Sequence, residues 1–147
     1  MKGERREEAR RWFQQGMHDL KAARWNIEGG FFNTACFLSQ QGAEKALKSL
    51  LYYIGSRKKA LFTHSLVEMV IEGGRKVNDL TKLLDQARML DLHYIPSRYP
   101  NGLPAGYPHL FYNAKVAEEA VRDARKIIQK INDFYLAQNE TDILRED

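Results

Sequence analysis

Apolar side chains recur every three or four residues along most of the chain, which is the spacing of one face of an α-helix. The pattern predicts four long helices, over about residues 4–28, 32–54, 78–94 and 113–137. A fifth, shorter helix is expected to begin near His64 and to end at Gly73. No window shows sustained strand alternation. We therefore predict an all-α fold, an antiparallel bundle of four long helices plus one short helix.

Residues that favour helix ends stand at the predicted boundaries. Gly29–Gly30 and Gly55 follow the first two helices, and glycine readily adopts the left-handed conformation of a helix C-terminus. Thr63 or Ser65 is expected to cap the short helix, and Asn113 the last one. Between the second and the short helix, residues 56–59 read as a solvated basic turn.

The length of 147 residues suits one domain, which we place over residues 1–147. Its core is expected over about residues 4–137, because the polar residues 138–147 should fray. The formal charge of +4 permits binding to phosphates or nucleic acid but does not require it.

The single cysteine, Cys36, excludes a disulfide within the chain and reads as a small buried hydrophobe. The first residues carry no apolar run that would make a signal peptide, and no apolar run is long enough for a membrane span. A reducing, cytoplasmic location fits these observations.

All four prolines lie between His93 and Tyr112, at positions 96, 100, 104 and 108. Proline removes a backbone donor and clashes with the preceding helical turn, so this stretch is predicted to be a long loop before the last helix. Two Pro-x-Gly sequences, beginning at Pro100 and Pro104, indicate turns, and five aromatic residues can pack the loop down. Long loops in compact domains are often functional.

Arg98 stands between two of these prolines, flanked by Ser97 and Tyr99. A guanidinium held by rigid turns matches phosphate or carboxylate and loses little entropy on binding. The alternative is a structural arginine that bonds loop carbonyls or the end of a helix, and the sequence favours neither. Tyr99 and Tyr107 could stack on a base, although tyrosines in such loops more often pack.

The four histidines are distant in sequence and have no second ligand at helical spacing, so we expect no metal and no cofactor. His109 follows Arg98 by eleven residues and could serve as a general acid or base, but a surface position is the simpler reading. For His64, the position at the start of the short helix favours a role as a cap or hydrogen-bond partner over a catalytic role.

Several motifs together resemble the HEPN domain family. They are Trp12 with Asp19, Leu20 and Ala23; Gly30-Phe31-Phe32; the stretch from Phe37 to Leu51, FLSQQGAEKALKSLL; His64-Ser65-Leu66, with serine replacing the family's aspartate; and LDLHYIPSRYP from Leu90 to Pro100. The last is similar to the Tyr-x-x-x-Arg-Tyr-Pro segment of one large branch. The likeness covers about residues 12–134.

The resemblance implies a bundle of four long helices and a short one, usually a homodimer, associated with nucleotide or RNA chemistry. Many members are encoded beside a minimal nucleotidyltransferase and form toxin–antitoxin pairs with it. Some are metal-independent ribonucleases with an Arg-x4–6-His motif, but here Leu103, Pro104 and Ala105 occupy the positions where that histidine should fall.

Three functions remain open at this point. The preferred one is non-catalytic binding of nucleotide or RNA phosphate, as a homodimer or with a nucleotidyltransferase partner. The alternatives are a metal-independent ribonuclease toxin with an altered motif and a pure interaction module. The candidate catalytic residues are Arg98, His109 and His93. The candidate ligand-binding residues are Arg98, Tyr99, Ser97, Tyr94, His64 and Lys45.

Overall fold

A computed structural model describes residues 2–56 and 59–147 of the chain. Within these residues the secondary structure is entirely helical, without a strand. The α-helices are α1 (Lys2–Glu28), α2 (Phe32–Tyr53), α3 (Leu66–Gly73), α4 (Leu84–Asp91), α5 (Pro108–Phe111), α6 (Ala114–Ala137) and α7 (Thr141–Leu144). The predicted all-α bundle is confirmed. Of the predicted basic turn at 56–59, Arg57 and Lys58 lie outside the described residues.

The α1 and α2 helices form the most extensive helix pair of the described fold. They approach so closely at Gly16 and Gly42 that a Cβ on Gly16 would lie 2.8 Å from the carbonyl oxygen of Gly42. Only glycine permits this backbone contact. The crossing fixes the position of α2, which carries more buried side chains than any other described helix.

The α6 helix covers another side of α2, and its predicted N-cap is confirmed, since the Asn113 side chain accepts a bond from the Val116 amide at 2.9 Å. At the far end, Ser49 of α2 donates to the Ala9 carbonyl and lies 2.7 Å from the hydroxyl of Tyr135. Two buried hydrogen bonds through Ser49 thus join three helices within the apolar core. The largest fully buried side chains include Phe13, Leu47, Leu50, Leu51, Leu66, Met69, Leu80, Leu90, Ile127, Ile131 and Tyr135.

The long helix predicted over 78–94 is divided. Asp79 adopts a left-handed backbone with φ of +69°, and a 3-10 turn over Leu80–Leu83 precedes the eight-residue α4. After Asp91 the chain continues as successive turns to residue 98. The left-handed residue keeps the helix from starting before Leu80, and the non-helical backbone of Leu83, with φ of −98° and ψ of 14°, separates the 3-10 turn from α4.

Residues 138–147, predicted to fray, are instead ordered on α1. The short helix α7 places Ile143 in the core with 1% of its surface exposed. Ile143 and Leu144 pack against the core and help to dock this otherwise polar segment, which we call the tail segment. No described helix has the length and apolar character that a membrane crossing needs.

The proline-rich stretch is the predicted folded loop, with one addition. A 3-10 turn covers Pro100–Gly102, and a single α-helical turn, α5, begins at Pro108. Proline is well placed at the first position of a helix, because that amide would have no intrahelical partner. Short α-helical structure is therefore compatible with this stretch even though a continuous helix is not.

Candidate functional site

Arg98 lies where the turns after α4 meet the side of α2. Its guanidinium carbon is 4.2 Å from the ring centre of Phe37, 4.7 Å from that of Tyr94 and 4.9 Å from that of Tyr99. The Nε atom donates to the Tyr94 carbonyl oxygen at 2.9 Å. Cation–π contacts with three rings hold the plane of the guanidinium. No described residue supplies a hydrogen-bond acceptor to the two terminal nitrogens of Arg98.

The turn that presents Arg98 is fixed to the start of α2. Ser97 is fully buried, its hydroxyl donates to the His93 carbonyl, and its own carbonyl accepts a bond from the Asn33 side chain at 3.1 Å. The hydroxyl and the carbonyl of Ser97 are therefore both bonded within the protein. Its role in this structure is to position Arg98, and it is not exposed for contact with a ligand.

His64 joins the same cluster through Tyr94. The two rings are stacked with centres 4.7 Å apart and planes 19° from parallel. The His64 Nδ1 atom lies 3.1 Å from Oε1 of Glu44, a carboxylate that is almost fully buried, while 54% of the His64 side chain is exposed. The structure thus brings together Arg98, Tyr94, Tyr99 and His64 from the predicted set.

Lys45 belongs to a polar network between α1 and α2. Its Nζ atom donates to Asp19 of α1 at 2.5 Å and to the Gln41 side chain at 3.2 Å. Gln41 donates to Gln40, and Gln40 donates to Glu44 at 3.2 Å. The network extends from Asp19 to the carboxylate behind His64. Lys45 is thereby linked to the Arg98 cluster only through other side chains.

The two histidines predicted as catalytic candidates, His93 and His109, do not contact Arg98. His93 is mostly buried, its Nδ1 lies 3.2 Å from the Tyr112 hydroxyl, and burial lowers the pKa of His93, so the neutral ring is favoured. His109 is exposed on α5 and has no hydrogen-bond partner among the described residues. Neither histidine is held beside the guanidinium in this structure.

The remaining reactive groups are unsuited to chemistry. Burial raises the pKa of the Cys36 thiol to about 12, which keeps it protonated and unreactive. Across residues 2–56 and 59–147, no three His, Cys, Asp or Glu side chains meet in a way that could hold a metal ion.

Three residues of the site were not among the candidates named from the sequence. Phe37 supplies the closest ring to Arg98, and Glu44 holds His64. Asp91, at the end of α4, accepts bonds from the Leu66 amide at 2.7 Å and the Val67 amide at 3.2 Å, and so caps α3. Phe37 and Glu44 lie in the stretch that carried the family likeness, which was the available signal. For Asp91, no local pattern connects two residues 25 positions apart.

Comparison with known proteins agrees with the fold. The HEPN domain family model matches residues 9–134 of the chain. A protein of Methanocaldococcus jannaschii named Putative toxin MJ1304 is 27% identical over 133 residues, which cover 86% of this chain and 87% of that protein.

Solved structures show the same likeness. The crystal structure of TT1696 from Thermus thermophilus has a TM-score of 0.80 at 35% identity, over 86% of this chain and 97% of that one. ST0689, described as an archaeal HEPN homologue, has a TM-score of 0.70 at 35% identity, over 85% and 95% of the two chains. An HEPN domain protein of Thermotoga maritima has a TM-score of 0.66 at 31% identity, over 84% and 96%. The chain belongs to the HEPN domain family.

Proposed function

We propose that this HEPN-domain protein binds the phosphate of a nucleotide or of RNA through Arg98, without catalysing its cleavage. It would act as a homodimer or together with a minimal nucleotidyltransferase, in the manner of a toxin–antitoxin pair. Its closer likeness to the Arg-Tyr-Pro branch of the family remains a prediction.

The observation that carries the proposal is the way Arg98 is held. The packing against Phe37, Tyr94 and Tyr99 fixes the guanidinium before any ligand arrives, and the single bond to the Tyr94 carbonyl uses only Nε. The two terminal nitrogens form the fork that recognises two oxygens of a phosphate. A group already ordered in this way loses little entropy on binding.

The histidines support binding over catalysis. General acid or base catalysis requires a titratable group within hydrogen-bonding reach of the reacting atoms. His93 is engaged with Tyr112 and mostly buried, and His109 projects from α5 without contact with Arg98 in the described structure.

Association of two copies is supported by the apolar surface of the loop. Half of the large hydrophobic side chains that are exposed in the described chain lie between residues 92 and 111: Leu92, Ile95, Tyr99, Tyr107, Leu110 and Phe111. Exposed apolar side chains concentrated in one segment often mark a protein interface. Because this segment also contains Arg98, dimerisation would place two phosphate sites near one interface. The toxin name of the archaeal relative supports a role in a toxin–antitoxin pair.

Titration of a short single-stranded RNA with the full chain tests the proposal. Arg98→Ala is expected to weaken binding roughly ten-fold or more, because a charge-assisted bidentate contact is lost. Arg88→Ala removes an equally charged but exposed arginine of α4, paired with Asp85 at 2.8 Å, and should leave the affinity within about two-fold.

The same samples, incubated with labelled RNA and a chelator, should show no cleavage. If Arg98→Ala and Arg88→Ala lose affinity equally, Arg98 contributes only its positive charge, and the proposal is contradicted. Chelator-resistant cleavage that disappears with Arg98→Ala would replace binding by the ribonuclease alternative.

A further inference from the structure

A second basic surface lies along α1, away from Arg98. An open groove of about 810 Å³ runs between α1, Lys45 of α2 and the end of the tail segment. Its basic side chains are Arg10, Arg11, Lys45 and His18. Apart from Glu8, the acidic groups that line it are Glu146 and Asp147, both from the tail segment. The volume is within the range of sites for nucleotide-sized molecules.

The tail segment follows α1 in register. Four side chains spaced four residues apart on α1, at positions 6, 10, 14 and 18, hold successive parts of it. Arg6 binds Glu140 at 2.8 Å, Gln14 donates to the Ile143 carbonyl at 2.8 Å, and His18 lies 2.9 Å from Glu146. Arg10, between Arg6 and Gln14, donates to the carbonyl oxygens of Asp142 and Arg145 and to the Asp147 carboxylate. Oxygen atoms of the tail segment thus occupy the donors on this face of α1.

The two ends of the tail segment are held very differently. Ile143 is buried in the core and anchors α7. Glu146 and Asp147 are exposed, with 57% and 92% of their side chains accessible, so the contacts of Glu146 with His18 and Lys21 and the ion pair of Asp147 with Arg10 are screened by solvent. Exposed ion pairs contribute little to stability. The last residues can therefore leave the groove while α7 stays docked.

We propose that this α1 groove binds a small molecule that carries a chain of phosphate groups, and that Glu146 and Asp147 occupy its cationic positions until the ligand displaces them. Arg10 and Arg11 supply forks for phosphate oxygens, and Lys45 supplies a point charge. With the two tail carboxylates displaced, the carboxylates that remain beside these cations are Glu8, 3.1 Å from Arg11, and Asp19, 2.5 Å from Lys45, so Arg10 is the cation that loses its acidic partner. The site is separate from Arg98 and does not depend on the function proposed for that residue.

Calorimetric titration of the full chain with inorganic tripolyphosphate tests this site. Replacing both carboxylates, Glu146→Gln with Asp147→Asn, removes the competing charges and should tighten binding roughly five-fold, as expected for two screened ion pairs. Arg11→Gln should weaken binding several-fold. Because the Arg11 side chain is 69% exposed and pairs only with Glu8, this variant should keep the melting temperature of the wild type.

Matched controls separate the groove from general charge effects. Glu118→Gln with Glu119→Gln changes the net charge equally, but on the exposed side of α6, and should leave the affinity unchanged. Repeating each titration in the Arg98→Ala background removes any binding of tripolyphosphate at the proposed RNA site, so that the signal that remains reports the groove. Titration with ATP in place of tripolyphosphate shows whether a nucleoside adds affinity. Tighter binding of ATP would show that it does, and equal binding would show that the phosphate chain alone is recognised; both results support a phosphate site.

The proposal is overturned if neither the wild type nor the tail variant binds tripolyphosphate. It is also overturned if the tail variant and the α6 control bind equally well, since the tail carboxylates would then not compete.

Discussion

At the scale of single residues, the candidate site depends on side chains that hold other side chains in place. Tyr94 contacts both Arg98 and His64, Ser97 fixes the turn that presents Arg98, and Glu44 fixes the ring of His64. Asp91 completes the arrangement because its carboxylate joins the end of α4 to the start of α3. As a negative charge at the N-terminus of α3, the Asp91 carboxylate also interacts favourably with the helix dipole.

Asp91→Ala is expected to lower the free energy of unfolding by about 2 kcal/mol, since two amides at the start of α3 lose their acceptor. Urea unfolding followed by circular dichroism measures this change. Asp85→Ala, an exposed aspartate of α4 paired only with Arg88, is the control and should cost less than about 0.5 kcal/mol. Equal effects of the two substitutions would show that the cap contributes nothing.

Part of this residue-level picture follows from sequence. The proline positions and the flanking aromatic residues drew attention to Arg98, but the sequence did not decide between a presented and a structural arginine, and the bond from Nε to the Tyr94 carbonyl is of the kind that the structural alternative expected. The capping role of Ser65 is confirmed, because its hydroxyl accepts a bond from the Glu68 amide. The roles of Asp91 and Phe37 depend on contacts between segments distant in sequence, and no local pattern reports such contacts.

At the scale of the elements, the crossing of α1 and α2 determines where the site lies. Gly16 and Gly42 let the two backbones touch, and the polar network from Asp19 to Glu44 extends along the same interface. The helix pair therefore places the α2 surface, with Phe37 and Glu44, against the segments that carry Arg98 and His64.

Gly16→Ala should destabilise the protein by roughly 1–3 kcal/mol, because the new methyl group would meet the backbone of α2 at 2.8 Å. Thermal and urea unfolding measure the loss. Gly3→Ala is a control in the same helix: its Cβ would meet no atom within 4 Å, and alanine favours the helix. A Gly16→Ala protein as stable as Gly3→Ala would show that the close crossing is not required.

Helix boundaries were predicted well where end signals are local. The end of α1 at Glu28 and the start of α6 after Asn113 agree with the glycine pair and the asparagine cap. The helix expected over 78–94 was wrong as a single element, because nothing in its apolar spacing reveals the left-handed backbone at Asp79, the non-helical backbone at Leu83 or the end of α4 at Asp91. The docking of Ile143 was missed because two apolar residues in a polar segment make too weak a local signal.

At the scale of the whole molecule, the loop from 92 to 111 combines the candidate phosphate site with much of the exposed apolar surface. This coincidence is the reason to expect that association and ligand binding involve the same face. A partner on this face would also exclude water from around Arg98, which strengthens its interaction with phosphate.

We expect the protein to be a dimer in solution, and Leu110→Asp to convert it into a monomer, because a charge would be buried in an apolar interface. Size-exclusion chromatography with light scattering measures the mass. Leu136→Asp places the same change on α6, where the leucine is similarly exposed, and should leave the dimer intact. A monomeric wild type would contradict the predicted dimer. A dimer that survives Leu110→Asp would show that its interface lies elsewhere.

The affinity of Arg98→Lys for a short single-stranded RNA, relative to that of the wild type, tests the central claim most directly. Lysine keeps the positive charge but lacks the planar fork, so the claim predicts weakening of roughly ten-fold with an unchanged melting temperature. Wild-type affinity in Arg98→Lys would mean that charge alone is sufficient and would contradict a site built around the ordered guanidinium.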